Sequence, residues 1–118
     1  MTDQDCEQLR RDFAAAVNMS ACELEDWLQT SESQRVGWKG ADDSMRESVG
    51  HAAGRRIVVI LRKGASDLTT DDYAHMRKAI GFVRRHSAQR PDNIYTSRWR
   101  YSLMNWGHDP IKDTEQLK

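Results

Sequence analysis

The amino-acid sequence predicts an all-α fold, a single compact domain of about five helices. Three observations lead there. Apolar residues recur at steps of three and four in successive segments. Capping residues stand in front of several of those segments. The densest apolar run, Ile57 to Leu61, continues a helical stripe that begins upstream of it.

Taken in order, Cys6, Leu9, Phe13, Ala16 and Val17 line one face of a first helix. Ser20-Ala21-Cys22-Glu23 matches a capping box, which opens a short second helix carrying Leu24, Trp27 and Leu28. Residues 31–46 are rich in Ser, Gly and Asp without a sustained period and predict a loop, pinned by Val36 and Trp38. The run GRRIVVILRKG also fits a buried strand between glycines, but Val49, Ala53, Ile57 and Ile60 form a helical stripe, so the prediction is a third helix. Gly50 and Gly54 lie beside that stripe and would let a neighbouring helix come close. Gly64 is expected to end it, and SDLTTDD to cap a fourth helix reaching about Ala88, with Tyr73, Met76, Ile80 and Val83 on its core face. Pro91, Asp92 and Asn93 break the chain, and Thr96 is expected to cap a fifth helix running to Gly107. On that helix Trp99, Leu103 and Trp106 share one face while Tyr101 and Met104 project to the other. It therefore either lies between neighbours or offers one face to a partner.

At 118 residues the chain suits one domain, read as residues 1–112 with a tail at 113–118. Two cysteines, Cys6 and Cys22, fit reduced thiols better than a disulfide scaffold, which implies a cytoplasmic address. There is no basic-then-apolar leader, and no apolar run is long enough for a bilayer, so no membrane association is expected. The formal net charge of zero conceals a split along the chain. Residues 1–53 hold five Lys/Arg against eleven Asp/Glu, net −6; residues 54–112 hold twelve against five, net +7; the tail is net −1. Such asymmetry points to a basic surface for polyanions, or else to an acidic first half packing beside a basic second half.

The site expectations follow from that split. On the fourth helix Arg77 and Arg84 fall on one side of the outer face and Lys78 and Arg85 on the other. Ala74, Gly81 and Ala88 lie between them as a small-residue floor. Such a channel suits a phosphate backbone, although a solvated helix face has the same look. Arg55 and Arg62 on the third helix, with Arg90, Arg98 and Arg100 around the last, complete the nine candidate contacts to nucleic acid. Tyr101 and Met104 are the candidate surface for a protein partner or a homo-oligomer. His108-Asp109 resembles a catalytic pair, but no nucleophile completes it, and GHDP reads as helix termination, with Gly107 left-handed and Pro110 as the stop. His75 and His86 sit eleven residues apart with Phe82 between them, without the clustering or thiolates of a zinc site. The sequence therefore predicts a non-catalytic module with no cofactor and no metal.

Four stretches, VNMSACELEDWLQT, ESVGHAAGRRIVVIL, DDYAHMRKAIGFVRRHSAQRP and RWRYSLMNWGHDP, carry a further resemblance. Across nearly its full length the chain resembles a family of small bacterial and fungal proteins catalogued as domain of unknown function three-one-four-zero. The family has no established activity. Its members often carry an automated DNA-binding label, so the resemblance implies association with nucleic acid. It also implies a serine before GRR and a leucine within the RH-x-AQRP stretch, where this chain has Ala53 and Ser87.

Overall fold

The fold is organised around two helix pairs and a wedge. In the computed structural model, which describes residues 2–36 and 47–112, α1 (Asp3–Ala16) packs chiefly on α5 (Thr70–Ser87) and α2 (Ala21–Leu28) on α4 (Val49–Leu61). The last helix, α6 (Arg98–Asn105), touches α2, α4, α5 and the five-residue α3 (Ser31–Arg35). A 3-10 turn at Ala65–Asp67 links α4 to α5.

Local chemistry sets the helix starts. Thr2, Ser20 and Thr69 each form a reciprocal capping box, with Asp5, Glu23 and Asp72 returning the bond to the cap amide. Thr30, Ser48 and Ser97 cap α3, α4 and α6 with their hydroxyls. The predicted loop at 31–46 thus contains one short helix, because Thr30 supplies an N-cap that its polar surroundings conceal. Val36 is buried as expected, while Trp38 and the residues to 46 lie outside those described. The α6 cap is Ser97 rather than Thr96, since the Ser97 hydroxyl accepts from the Arg100 amide at 3.2 Å. The third predicted helix ends at Leu61, three residues before Gly64, whose φ is −75° and needs no left-handed conformation.

One contiguous core joins these elements. Phe13, Leu24, Ile57, Met76, Ile80 and Leu103 are buried in it, and Tyr73 enters from α5 with its hydroxyl accepting from Arg10 of α1 at 2.8 Å. The buried side chains of Asp72 and Asn105 are paired. Asp72 accepts from Arg56 and Lys63, each under 3 Å away, as well as from the Thr69 amide. Asn105 accepts from the Trp27 indole at 2.8 Å and from the Ser33 hydroxyl, and donates to the Ser33 carbonyl. A single side chain therefore ties α6 to both α2 and α3.

The end of α6 is closed by a Schellman turn: the His108 amide reaches the Leu103 carbonyl and the Gly107 amide the Met104 carbonyl. Gly107 adopts φ +84°, as the GHDP reading expects, and a side chain there would come 2.7 Å from Val17. The stripe of Gly50 and Gly54 meets this same region. A Cβ on Gly54 would collide with the Asn105 carbonyl oxygen and lie 2.8 Å from Leu28, so the close approach of α4, α2 and α6 requires glycine. Gly81 differs, because its added Cβ would meet only the mobile tip of Arg85.

Gly54→Ala is accordingly expected to destabilise the protein by about 2 kcal/mol or more through forced separation of packed helices. Gly81→Ala should be neutral or stabilise by up to about 1 kcal/mol through its helix propensity. Urea unfolding followed by far-UV circular dichroism separates the two outcomes.

Candidate nucleic-acid interface

The nine basic candidates do not form one surface, because several already have anionic partners. Arg55 holds Glu47 through two hydrogen bonds, and Glu47 also bonds the His51 ring. The Arg55 guanidinium and the second contact to His51 keep the Glu47 carboxyl far below its ordinary range, at about 2. Arg62 forms a two-pronged pair with Glu25 at 3.0 and 3.3 Å. Both partners come from the acidic first half, so on α4 the charge split is resolved by packing the two halves together. Arg100 is engaged by Asp109 through two bonds of 3.2 Å and donates to the Tyr95 carbonyl, which leaves its side chain only 22% exposed. These three are structural clamps.

Arg77 faces α1, where it shares a shallow depression with Asp5, Gln8 and Asp12. The Asp5 carboxyl is held below its usual range chiefly by the Thr2 amide, with Arg77 adding to the effect. The outer channel of α5 is therefore only partly open: Arg77 belongs to the α1 side, and the Arg85 guanidinium folds back over Gly81, covering the small-residue floor.

Lys78, Arg84, Arg85, Arg90 and Arg98 are a different group. All five are exposed, and none forms an ion pair with another described residue. Arg84 and Arg85 lie in the last turn of α5, Arg90 follows it, and Arg98 opens α6. The Trp99 indole donates to the His86 carbonyl at 2.6 Å, which fastens the first turn of α6 to the last turn of α5. Four of the five cations thus collect at one end of the molecule, and Lys78 extends the group two turns back along α5.

Beneath them runs a ladder of flat rings: His75 on Trp106 at 6.2 Å, Trp106 on Phe82 at 4.6 Å, Phe82 on His86 at 5.0 Å and His86 on Trp99 at 6.4 Å, all close to parallel. The two histidines expected to flank Phe82 do so, with Trp106 inserted as well. Burial pushes both imidazoles below their ordinary range, so they stack as neutral rings. His75 also donates to the Ala53 carbonyl and is depressed further by Arg56 and Lys78. Among the described residues no three His, Cys, Asp or Glu side chains gather as a metal site.

The two candidate partner residues are half-buried within the chain. Tyr101 packs on Trp27 with ring centroids 5.3 Å apart, and Met104 packs against the core. The last helix is therefore sandwiched, which accounts for its two apolar faces. His108 and Asp109 are likewise engaged in closing the fold. The His108 ring donates to the Ala16 carbonyl at the end of α1, and Asp109 exchanges two bonds with Asn18 while binding Arg100. No helix among the described residues is long and apolar enough to cross a membrane.

The elements that carry this site are also those that the comparisons with known proteins detect. One family profile matches residues 12–104, from Asp12 near the end of α1 through Met104 of α6. The chain belongs to that family, Protein of unknown function (DUF3140). The match takes in the whole cationic end and stops just before the Asn105–Pro110 turn. No curated protein and no solved structure matches the chain.

The neutral histidines give this DUF3140 protein a defined pH response. Their folded forms exclude protons that the unfolded chain binds below about pH 6.5, so their contribution is complete above that pH and is lost as pH falls. Glu47 and Asp72, both depressed, act lower down: their contributions hold above about pH 4.5 and fade only as pH drops towards their folded values. Thermal melts between pH 7 and 5 should show a falling Tm, and His86→Phe, which keeps the ring stack, should flatten that slope.

Proposed function

We propose that this chain is a non-catalytic, nucleic-acid-associated module that contacts phosphates through Lys78, Arg84, Arg85, Arg90 and Arg98. The observation that carries the reading is that four of these cations gather at the junction of α5 and α6, with Lys78 two turns back along α5, and that none has a carboxylate partner among the described residues. Uncompensated guanidinium and ammonium groups on rigid helix ends are suited to displacing counterions from a phosphate backbone. Arg55, Arg62 and Arg100 are excluded from the contact set, since recruiting them would break pairs already made. A contact set of backbone cations confers affinity with little base readout. Basic residues in the last turn also complement the negative end of α5, an ordinary structural role worth about 0.3–1 kcal/mol each, so folding must be monitored in every charge variant.

Binding to a short duplex should weaken steeply with salt, with a log–log slope of about −4.5 if all five cations engage phosphates. Arg84→Ala combined with Arg85→Ala should reduce the magnitude of that slope by about 2, whereas Arg55→Ala should leave it nearly unchanged. Fluorescence anisotropy at several salt concentrations measures both, and binding that is absent or indifferent to salt overturns the reading.

A further inference from the structure

The connection from α5 to α6, residues 88–97, carries one aromatic side chain, Tyr95, which projects into solvent at 59% exposure. No other large apolar side chain among the described residues is as exposed. The other described tyrosines and tryptophans are engaged inside the fold: Tyr73 bonds Arg10, Tyr101 covers Trp27, and Trp99 and Trp106 lie in the ring ladder. Tyr95 makes neither a ring contact nor a side-chain hydrogen bond among the described residues. The backbone beneath it is nevertheless fixed. Its amide donates to the Asn93 side chain at 3.1 Å, its carbonyl accepts from Arg100 at 2.7 Å, and the preceding Ile94 is buried. Arg100 is itself braced by Asp109, so this platform is tied to the turn out of α6. A tyrosine ring on an anchored backbone offers a large flat contact and loses little freedom when a partner settles on it.

The charge at this end narrows the partner. Tyr95 lies in the chain between Arg90 and Arg98, and residues 84–98 hold four arginines against one acid, Asp92. All four arginines are exposed and have no carboxylate partner among the described residues. An uncharged apolar partner would gain nothing from them, whereas a nucleic acid supplies a polyanionic backbone and flat bases together. We infer that Tyr95 is a stacking residue for an unpaired base of a single-stranded nucleic acid whose phosphates lie on the arginines of the same end. Inside a duplex both faces of a base are occupied by its neighbours, so the ring acts on unstacked bases alone. Every base has a π-face, so the contact tolerates sequence. The inference rests on the proposed function and deepens it, giving the cationic end a preference for single strands over duplex.

Anisotropy titrations with a labelled single-stranded DNA oligonucleotide of about fifteen nucleotides, and with its duplex, test this. Tyr95→Ala should weaken single-strand binding about fivefold or more and duplex binding by less than about twofold. The salt slope for either ligand should not change, because no charge is removed. Tyr95→Phe and Tyr95→Trp should restore single-strand binding, since both keep a flat ring while dispensing with the hydroxyl. The far-UV circular dichroism and Tm of all three variants should match the wild type, as the replaced side chain holds no other part of the fold. Salt-dependent duplex binding together with a Tyr95→Ala variant that binds the single strand as the wild type does, or that loses strand and duplex equally, overturns the stacking inference and leaves the phosphate-contacting surface standing. Absent or salt-indifferent binding to both ligands overturns the two together. Displacement of the strand by polyglutamate of equal charge, as effective as by unlabelled strand, identifies an acidic protein as the partner and overturns the inference as well.

Discussion

Everything in this fold depends on how the chain turns out of α6. Between Asn105 and Asp109 five consecutive residues each meet a different part of the molecule. Asn105 pairs with Trp27 and Ser33, Trp106 enters the ring ladder, and Gly107 lies against Val17. His108 takes the last carbonyl of α1, and Asp109 binds Asn18 and Arg100. These contacts join the α1/α5 pair to the α2/α4 pair, which otherwise meet mainly along the limited contact of α4 with α5. The left-handed Gly107 makes the turn possible, because only glycine adopts that backbone conformation without strain while leaving room for Val17.

This explains why RWRYSLMNWGHDP is dense in aromatic and charged residues: most of them hold neighbouring parts of the fold. Trp99 and Trp106 serve the ring stack, Tyr101 covers Trp27, and Arg100 braces Asp109. Of the residues that the motif offers for nucleic-acid contact, Arg98 is the one with no such duty among the described residues. The motif is the keystone of the architecture, and the proposed functional end is built mostly from α5 beside it.

Much of the fold was legible in the sequence, because helix periodicity and caps are local properties. The apolar stripes of α1, α4 and α5 were readable as face patterns, and Ser20 with Glu23 as a capping box. Gly50 and Gly54 announced a close approach without saying to what. The helix α3 was missed since five polar residues after Thr30 carry no stripe. The candidate site was less legible, because ion pairing is a property of the folded chain. Nothing near Arg62 in the sequence names Glu25, 37 residues away, as its partner. Likewise, Lys78, Phe82 and Trp106 share a cavity only once Gly50 has brought α4 against the end of α6.

Placing the keystone about ninety residues after α1 has a consequence for biosynthesis. Val17 and the Ala16 carbonyl leave the ribosome about ninety residues before the turn that completes them, an interval of roughly 5–20 s at ordinary elongation rates. During that time α1 has no α5, and α2 has no Asn105, so the nascent segment carries uncovered apolar stripes. The helices can form early through their own caps, but cooperative closure awaits release of the final turn. Assembly of this domain therefore waits until the Asn105–Asp109 turn has been made, and the strongly acidic first half keeps the waiting segment in solution.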